Sequence, residues 1–336
     1  MQPVGCAVIG LGPMGSEHAA VLAHSPAARL LICCDLDPGT QARIPAGCEF
    51  TTELESALRW PGVEAVFVCT PESAHRGPVV AALQAGLPVF CEKPFAAALP
   101  DCDAMIAAAK AADALLVVGH ILRFDLRYLA VAEALRDGRL GRPIHLSARR
   151  TSWASEGRMV RGRTTLPMYL GVHDLDIFRW LAGDIDRVYA EAGGAGIVGE
   201  GIADTVMATV RFASGAVGAI ELSWATSVES GIEWDSQLEV IGSEGSAYVD
   251  ITDTGVSVYS GAGPQFPETT YWPRTHGFPS GILRAEDEHF LLTVREAATW
   301  PQTLPDARAA VAAAIALDSS SATGRPVALT EVEAAE

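Results

Sequence analysis

Along the first 120 residues, apolar positions come in short unbroken runs. The runs at 5–9, 30–35, 65–69, 88–91 and 115–119 are rich in Val, Ile, Leu and Cys, as expected for strands buried on both faces. Ala-rich stretches of helical length separate them at 16–24, 76–85 and 100–112. Strand and helix in alternation predict an α/β unit with a parallel, doubly wound sheet. After about residue 140 the texture changes. "VMATVRF" (206–212), "AVGAIELSW" (216–224), "SQLEVIG" (236–242) and "SAYVDI" (246–251) alternate or run apolar, with Gly and Ser turns close between them. That spacing predicts a second α/β part whose large, mostly antiparallel sheet packs on helices by one face and is open on the other. An open apolar face is a surface on which subunits pair. A last, Ala-rich helix is predicted over 306–321, before "TGRPVAL".

With 336 residues the chain is long for one core, and the change of texture divides it. The expected domains are 1–122 and 123–336, with the segment from about 306 to 336 packing back toward the first. A content of 49% hydrophobic and 19% charged residues describes a globular chain, not a disordered one. No apolar run approaches the roughly 20 residues that span a bilayer. "MQPVGCAVIGLG" lacks a basic n-region and a small-residue cleavage site, so no signal peptide is expected and the location expected is cytoplasmic. The seven Cys, at 6, 33, 34, 48, 69, 91 and 102, form no C-x-x-C. They are expected to be reduced thiols, with neither a disulfide frame nor a metal site. The formal charge of −17 argues against nucleic acid or an anionic membrane as partner and permits a cationic ligand.

The first strand runs into "VIGLGPMG", which places Gly10, Gly12 and Gly15 in the spacing G-x-G-x-x-G, with Pro13 and Met14 between. Glycines there allow a tight turn and close approach of a pyrophosphate, and the next helix offers free N–H groups and its positive end. Asp35, twenty positions after Gly15, ends the second strand. A carboxylate there accepts from ribose hydroxyls and repels the 2′-phosphate of NADP, so NAD is the expected cofactor. "TPESAH" then places Thr70, Pro71 and His75 at the carboxyl end of the third strand, on the rim where ligands sit in such sheets.

"CEKPF" (91–95) ends the next strand. Of the 24 basic residues only Lys93 and Lys110 are Lys. In a chain that otherwise uses Arg, a Lys between Glu92 and Pro94 on this rim points to a need for a compact or titratable cation.

With "GLGPMG", "TPESAH", "AGLPVFCEKPFA", "GHILRFD", "GVHDLDIFRWLAG" and "TGRPVAL" in this order, the chain resembles the Gfo/Idh/MocA family of sugar and cyclitol oxidoreductases. The resemblance implies an N-terminal Rossmann domain that binds NAD through the residues above, Glu92 and Lys93 included. It implies a C-terminal α/β domain that binds substrate and pairs copies through its sheet, as a homodimer or homotetramer. It also implies hydride transfer between a nicotinamide and a secondary alcohol of a sugar or cyclitol. Lys93 then stands near the reacting hydroxyl, and His173 is the acid-base candidate, its ordinary pKa suiting proton removal near neutrality.

One departure stands out. Where the family commonly has Asp, four residues before the His, this chain has Tyr169. On a helix, 169 and 173 share a face, so Tyr169 joins the catalytic candidates, and Asp174 or Asp176 can orient His173. Asp176 can equally pair with Arg179. Arg123 and Trp153 are candidates for substrate contact, each with a structural alternative, and core packing is the default for Trp224, Trp234 and Trp272. "SVESGIEWDSQLEV" carries Glu229, Glu233, Asp235 and Glu239 with no basic residue. Carboxylates near a cleft attract amines, which, with Glu233 and Asp235 as candidates, points to an aminosugar, as in an aminoglycoside-like compound. The alternatives are an inositol dehydrogenase, redox-neutral chemistry with tightly held NAD, and a non-catalytic NAD-binding regulator.

Overall fold

The computed structural model describes residues 2–335 apart from 161, 227–233, 253–255, 261, 262 and 268. Contacts divide the chain into two compact units, Met1–Phe124 with Thr269–Arg308, and Asp125–Glu268 with Ala309–Glu336.

The first unit holds a parallel sheet of β1 (Val4–Ile9), β2 (Ala28–Cys34), β3 (Glu49–Thr51), β4 (Ala65–Val68), β5 (Val89–Glu92) and β6 (Leu116–Gly119). Their order is β3-β2-β1-β4-β5-β6, with every neighbour pair parallel. β1, β4, β5 and β6 are buried at every position, which is why they read as unbroken apolar runs. Helices α1 (Pro13–His24), α2 (Leu54–Leu58), α3 (Arg76–Gln84) and α4 (Leu99–Ala112) connect the strands. α1 begins three residues before the predicted 16, because Pro13 suits the first helical position and the glycine turn itself leads into the helix.

The second unit begins with α5 (Leu126–Arg136), whose N-cap Asp125 accepts from the Arg127 N–H. β7 (Pro143–Trp153), α6 (Ala154–Val160), a π-helical turn (Pro167–Gly171) and α7 (Val172–Ala182) follow. Then come β8 (Ile185–Gly193), β9 (Thr205–Phe212), β10 (Val217–Thr226), β11 (Trp234–Gly242) and β12 (Ser246–Asp250). With β13 (Val327–Ala328) they form a sheet in the order β12-β11-β7-β10-β9-β8-β13. Only β7 and β10 pair in parallel; the rest is antiparallel, as expected.

One face of this sheet is covered by α7 and the π turn. A Cβ at Gly218 would press into the Phe178 ring, and one at Gly171 into Leu222. Registers β11/β7 and β7/β10 put Leu238, Ala148 and Ile220 on that face and Glu239, Ser147 and Ala219 on the other. The opposite face carries a depression of about 710 Å³ lined by His145, Ser147, Arg187, Tyr189, Thr209 and others.

The expected domain division, 1–122 and 123–336, differs from these units. The first boundary falls after Phe124, and the part that rejoins the first unit is 269–308, not 306–336. The cause is α8 (Ile282–Val294), which buries Leu283, Phe290 and Leu291. Phe290 meets Phe67 edge-on at 5.1 Å, and Phe67 stacks on Phe90 at 5.1 Å. Burying each such ring contributes about 1.5–3 kcal/mol. The Ala-rich helix α9 (Leu304–Thr323) then leads through β13 into α10 (Leu329–Ala335). No helix among the described residues is long and apolar enough to cross a membrane.

Candidate active site

In the first unit, β1 ends in a turn that only glycine fits. Gly10 has φ +92°, and a Cβ there would lie 2.8 Å from the main chain of Cys69 and Thr70. A Cβ on Gly15 would collide with the Gly10 carbonyl oxygen, whereas one on Gly12 would meet nothing within 4 Å. That open space, at the start of α1, is where a pyrophosphate can approach the backbone. The first turn of α1 carries no acidic residue, so its positive end is uncompensated. Pro13 is exposed and Met14 half-buried at the same edge.

Asp35 is half-buried at the end of β2. Its Oδ2 accepts the Leu11 N–H at 2.6 Å and its Oδ1 accepts the Asp37 N–H at 2.9 Å. A carboxylate has about four acceptor sites, so two bonds fix its orientation and leave capacity for a diol. Arg43 donates to the Leu11 carbonyl at 3.0 Å. It is a cation beside this site that no motif marks.

At the end of β4, Thr70 Oγ1 is buried and makes no hydrogen bond to any described residue, while Pro71 opens the following 3₁₀ turn. His75, expected on the cofactor, has both ring nitrogens against protein groups. Its Nε2 donates to the Thr70 carbonyl at 2.8 Å, and Nδ1 lies 3.4 Å from the Cys91 thiol and 3.2 Å from the Phe95 carbonyl. Burial holds its pKa low, so a neutral ring ties the β4 turn to the loop after β5. Glu92, also expected at the cofactor, is buried and faces inward. Its Oε1 lies 2.8 Å from Nε2 of His18, and its Oε2 accepts the Lys93 N–H at 2.8 Å. Lys93 is half-buried at the rim.

Asp35, the glycine turn, Thr70 and Lys93 thus follow β2, β1, β4 and β5, four consecutive strands of one sheet. At roughly 4.8 Å per strand they span about 14 Å. The open space at Gly12, the unpartnered Thr70 hydroxyl and the oriented Asp35 carboxylate fit a dinucleotide laid along the strand ends. Arg123, a candidate for substrate contact, also belongs to this unit. It is buried and donates to the Pro301 carbonyl at 2.8 Å, which binds the residues after β6 to the returning segment of the same unit.

In the second unit, His173 is the second residue of α7 and half-buried. Tyr169 lies in the π turn, so the wider turn alters the simple helical spacing between them. The Tyr169 hydroxyl donates to Glu156 Oε1 at 3.2 Å. Glu156 Oε2 is buried and makes no hydrogen bond to any described residue. This carboxylate lies thirteen positions from Tyr169 in sequence, with no motif around it, and sequence reasoning missed it. Asp174 does not serve His173; both its oxygens take Arg150, at 2.7 and 3.0 Å. Arg179 pairs with Asp184 at 2.8 Å.

Asp235 corrects the amine-attracting reading. It is paired with Arg149 at 2.7 Å, and the β11 register puts it with Glu239 on the sheet face opposite α7. Glu229 and Glu233 lie outside the described residues. Trp153 is half-buried at the end of β7, and Trp224 is fully buried against Gly157. Trp272 belongs to the first unit. Among the described residues no three His, Cys, Asp or Glu side chains are placed so that they could hold a metal ion.

Comparison with known proteins finds a family model matching each unit. Residues 4–120 match the family model described as "Oxidoreductase family, NAD-binding Rossmann fold", and residues 128–248 match the GFO/IDH/MocA C-terminal domain. The chain is 32% identical over 253 residues to myo-inositol 2-dehydrogenase of Thermotoga maritima, covering 72% of this chain and 74% of that protein. It is 26% identical to 2,7-anhydro-N-acetylneuraminate hydratase of Mediterraneibacter gnavus, covering 76% of this chain and 69% of that one. Among solved structures it resembles GenD2 from gentamicin A biosynthesis, in complex with NAD, with a TM-score of 0.86 and 25% identity over 98% of this chain and 97% of that one.

Proposed function

The chain belongs to the Gfo/Idh/MocA family of NAD-binding oxidoreductases, and on that premise we propose that it oxidises a ring secondary alcohol of a sugar or cyclitol to a ketone, or runs the reverse. The observation that carries this reading is the line of Asp35, the glycine turn, Thr70 and Lys93 along consecutive strand ends. It supports the reading by setting a lysine three strands away from the carboxylate proposed to hold the ribose. NAD, when bound, supplies the hydride acceptor. Lys93 holds and polarises the alcohol oxygen with a compact, three-donor ammonium. His173 takes the hydroxyl proton. Tyr169, backed by Glu156, occupies the place of the family's usual Asp and hydrogen-bonds the substrate near His173. Copies of the chain pair through the open face of the second sheet.

The test is a panel of sugars, aminosugars, aminoglycosides and cyclitols, followed as NADH formation at about 340 nm. Turnover of one ring class, lost in Lys93→Met, supports the reading. NAD binding without turnover of any member would leave the non-catalytic reading in its place. The likeness to GenD2 keeps amine-bearing rings in the panel, although Asp235 no longer argues for them. The likeness to a hydratase favours one second reading, redox-neutral chemistry through a transient ketone. NAD that survives dialysis and never accumulates as NADH during turnover would select it.

A further inference from the structure

Four ionisable side chains are sealed inside the first unit behind Lys93. His18 on α1 is fully buried. Its Nε2 lies 2.8 Å from Glu92 Oε1 and its Nδ1 2.7 Å from Asp287 Oδ1 on α8. Glu286, next to Asp287, is fully buried, and neither of its oxygens makes a hydrogen bond to any described residue. The rings of Phe67 and Phe90 close on His18 at 5.6 and 5.2 Å.

The protons can be placed. A neutral imidazole donates from one nitrogen only, so acceptors on both nitrogens call for an imidazolium. Asp287 and Glu92 accordingly hold His18 well above its ordinary pKa against the opposing effect of burial. His18 in turn holds Glu92 low, although burial alone would raise it. Burial pushes Glu286 and Asp287 up, so Glu286 is a neutral acid. Other titratable groups packed around the cluster are Cys6, Cys69, Cys91, His75 and Glu288. Burial pushes the three thiols up and His75 down, so these four are neutral. Glu288 is partly exposed and bonded to Arg284 and Ser25. The charged groups left facing Glu92 are therefore His18, with its partner Asp287 behind it, and Lys93.

Stability alone does not account for the arrangement, because buried ion pairs can often be replaced by apolar side chains without loss. Glu92 connects the cluster to the rim. Its second oxygen receives the Lys93 N–H, and its charge lies one residue from the ammonium.

We propose that His18 is a positioning residue for Lys93, keeping Glu92 ionised inside the fold and so fixing both the place and the protonation of the lysine. Without His18 the enclosed carboxyl group takes up a proton. The ammonium of Lys93 then loses the charge of the carboxylate next to it in the chain and deprotonates more easily. The inference rests on the reading that Lys93 acts as a cation on the substrate oxygen.

The chain has only two lysines, 93 and 110. Reductive methylation with ¹³C therefore gives two lysine NMR signals, assigned by Lys93→Met, and each pKa can be titrated in the cofactor-free protein. In His18→Gln and in Glu92→Gln the Lys93 pKa is expected to fall by about one unit. The double variant should fall no further, since both act through one charge, and Lys110 should not move. In the active enzyme the alkaline limb of kcat should move down with it. On the alkaline side of both pKa values kcat should drop about tenfold, with little change near pH 8, while KM for NAD stays within about threefold. If His18→Gln fails to fold, Asp287→Asn, which weakens the hold on His18, gives the same reading with a smaller shift. Variants that lose thermal stability but titrate Lys93 as wild type does would overturn the proposal. An active Lys93→Met would instead remove the lysine from the reaction while leaving the titration result standing, so the two failures are distinguishable.

Discussion

Replacing Asp35 with Asn removes one charge from the ribose end of the groove and keeps the side chain's shape. The carboxylate now holds two main-chain N–H groups, at 2.6 and 2.9 Å. Asn has a single acceptor oxygen and can keep one of them. A hydrogen bond to a charged acceptor contributes about 1.5–3 kcal/mol, against about 1 for a neutral one. Weakening the ribose contact by about 1 kcal/mol makes NAD bind about 5- to 10-fold less tightly. For NADP the sign reverses. A unit charge about 5 Å from a phosphate of charge about −1.5 to −2 is repelled by about 1–2 kcal/mol even at the dielectric constant of water. Losing that repulsion strengthens NADP by about tenfold, and Arg43, held at Leu11, gains a phosphate to pair with. The NAD/NADP affinity ratio should therefore narrow by about 50- to 100-fold. Calorimetric titration with both nucleotides reads the ratio directly, and Arg43→Ala in the Asp35→Asn background should give back part of the NADP gain. A wild type that already prefers NADP, or a ratio unmoved by Asp35→Asn, would refute the assignment of Asp35.

Other expectations can be checked with similar effort. Lys93→Met should cut kcat by about 10²-fold or more with NAD affinity within a few-fold, measured by stopped-flow and fluorescence titration. Tyr169→Phe and Glu156→Gln should lower turnover and change the pH-rate profile alike, because they break one hydrogen bond; unlike profiles would separate the pair. Burial raises Asp318 from 3.8 to about 6, so between those values the folded chain holds a proton that the unfolded chain releases. Stability should then fall as pH rises through that window and stay lower above it. Asp318→Asn, which still accepts from Thr165, should raise Tm at pH 8 and leave it unchanged near pH 3.5. Gly10→Ala, forced to φ +92° with its methyl against Cys69 and Thr70, should abolish NAD binding or folding, and a well-folded binder would contradict the turn geometry.

The parallel sheet was legible because strands buried on both faces leave unbroken apolar runs, and the glycine turn because its spacing reflects backbone sterics. β3 was missed, since three residues carry no pattern. α8 was missed for a different reason. Its buried face includes Glu286 and Asp287, which count as polar in any periodicity and break the apolar stripe that would have marked it. The same blindness to partners misplaced Asp235, whose charge is visible in the sequence but whose Arg149 and sheet face are not. Glu92 and His75 were assigned by neighbourhood in the chain. Their side chains turn inward from a rim that their backbones share, and only coordinates distinguish the two.

The return of residues 269–308 to the first unit has a consequence for synthesis. The nucleotide-binding unit is interrupted, in the order of translation, by most of the second unit. Ribosomes add about 5–20 residues per second, so the six strands of the first sheet emerge on the order of ten seconds before α8 does. During that wait Phe67 and Phe90 lack Phe290, and His18 has Glu92 but not Asp287. A nascent chain stalled near residue 124 should be sensitive to protease and a client for chaperones, and one released past α8 should not. The strand ends proposed to hold the nucleotide are thus made first, and the core behind them closes only after the second unit has largely left the ribosome.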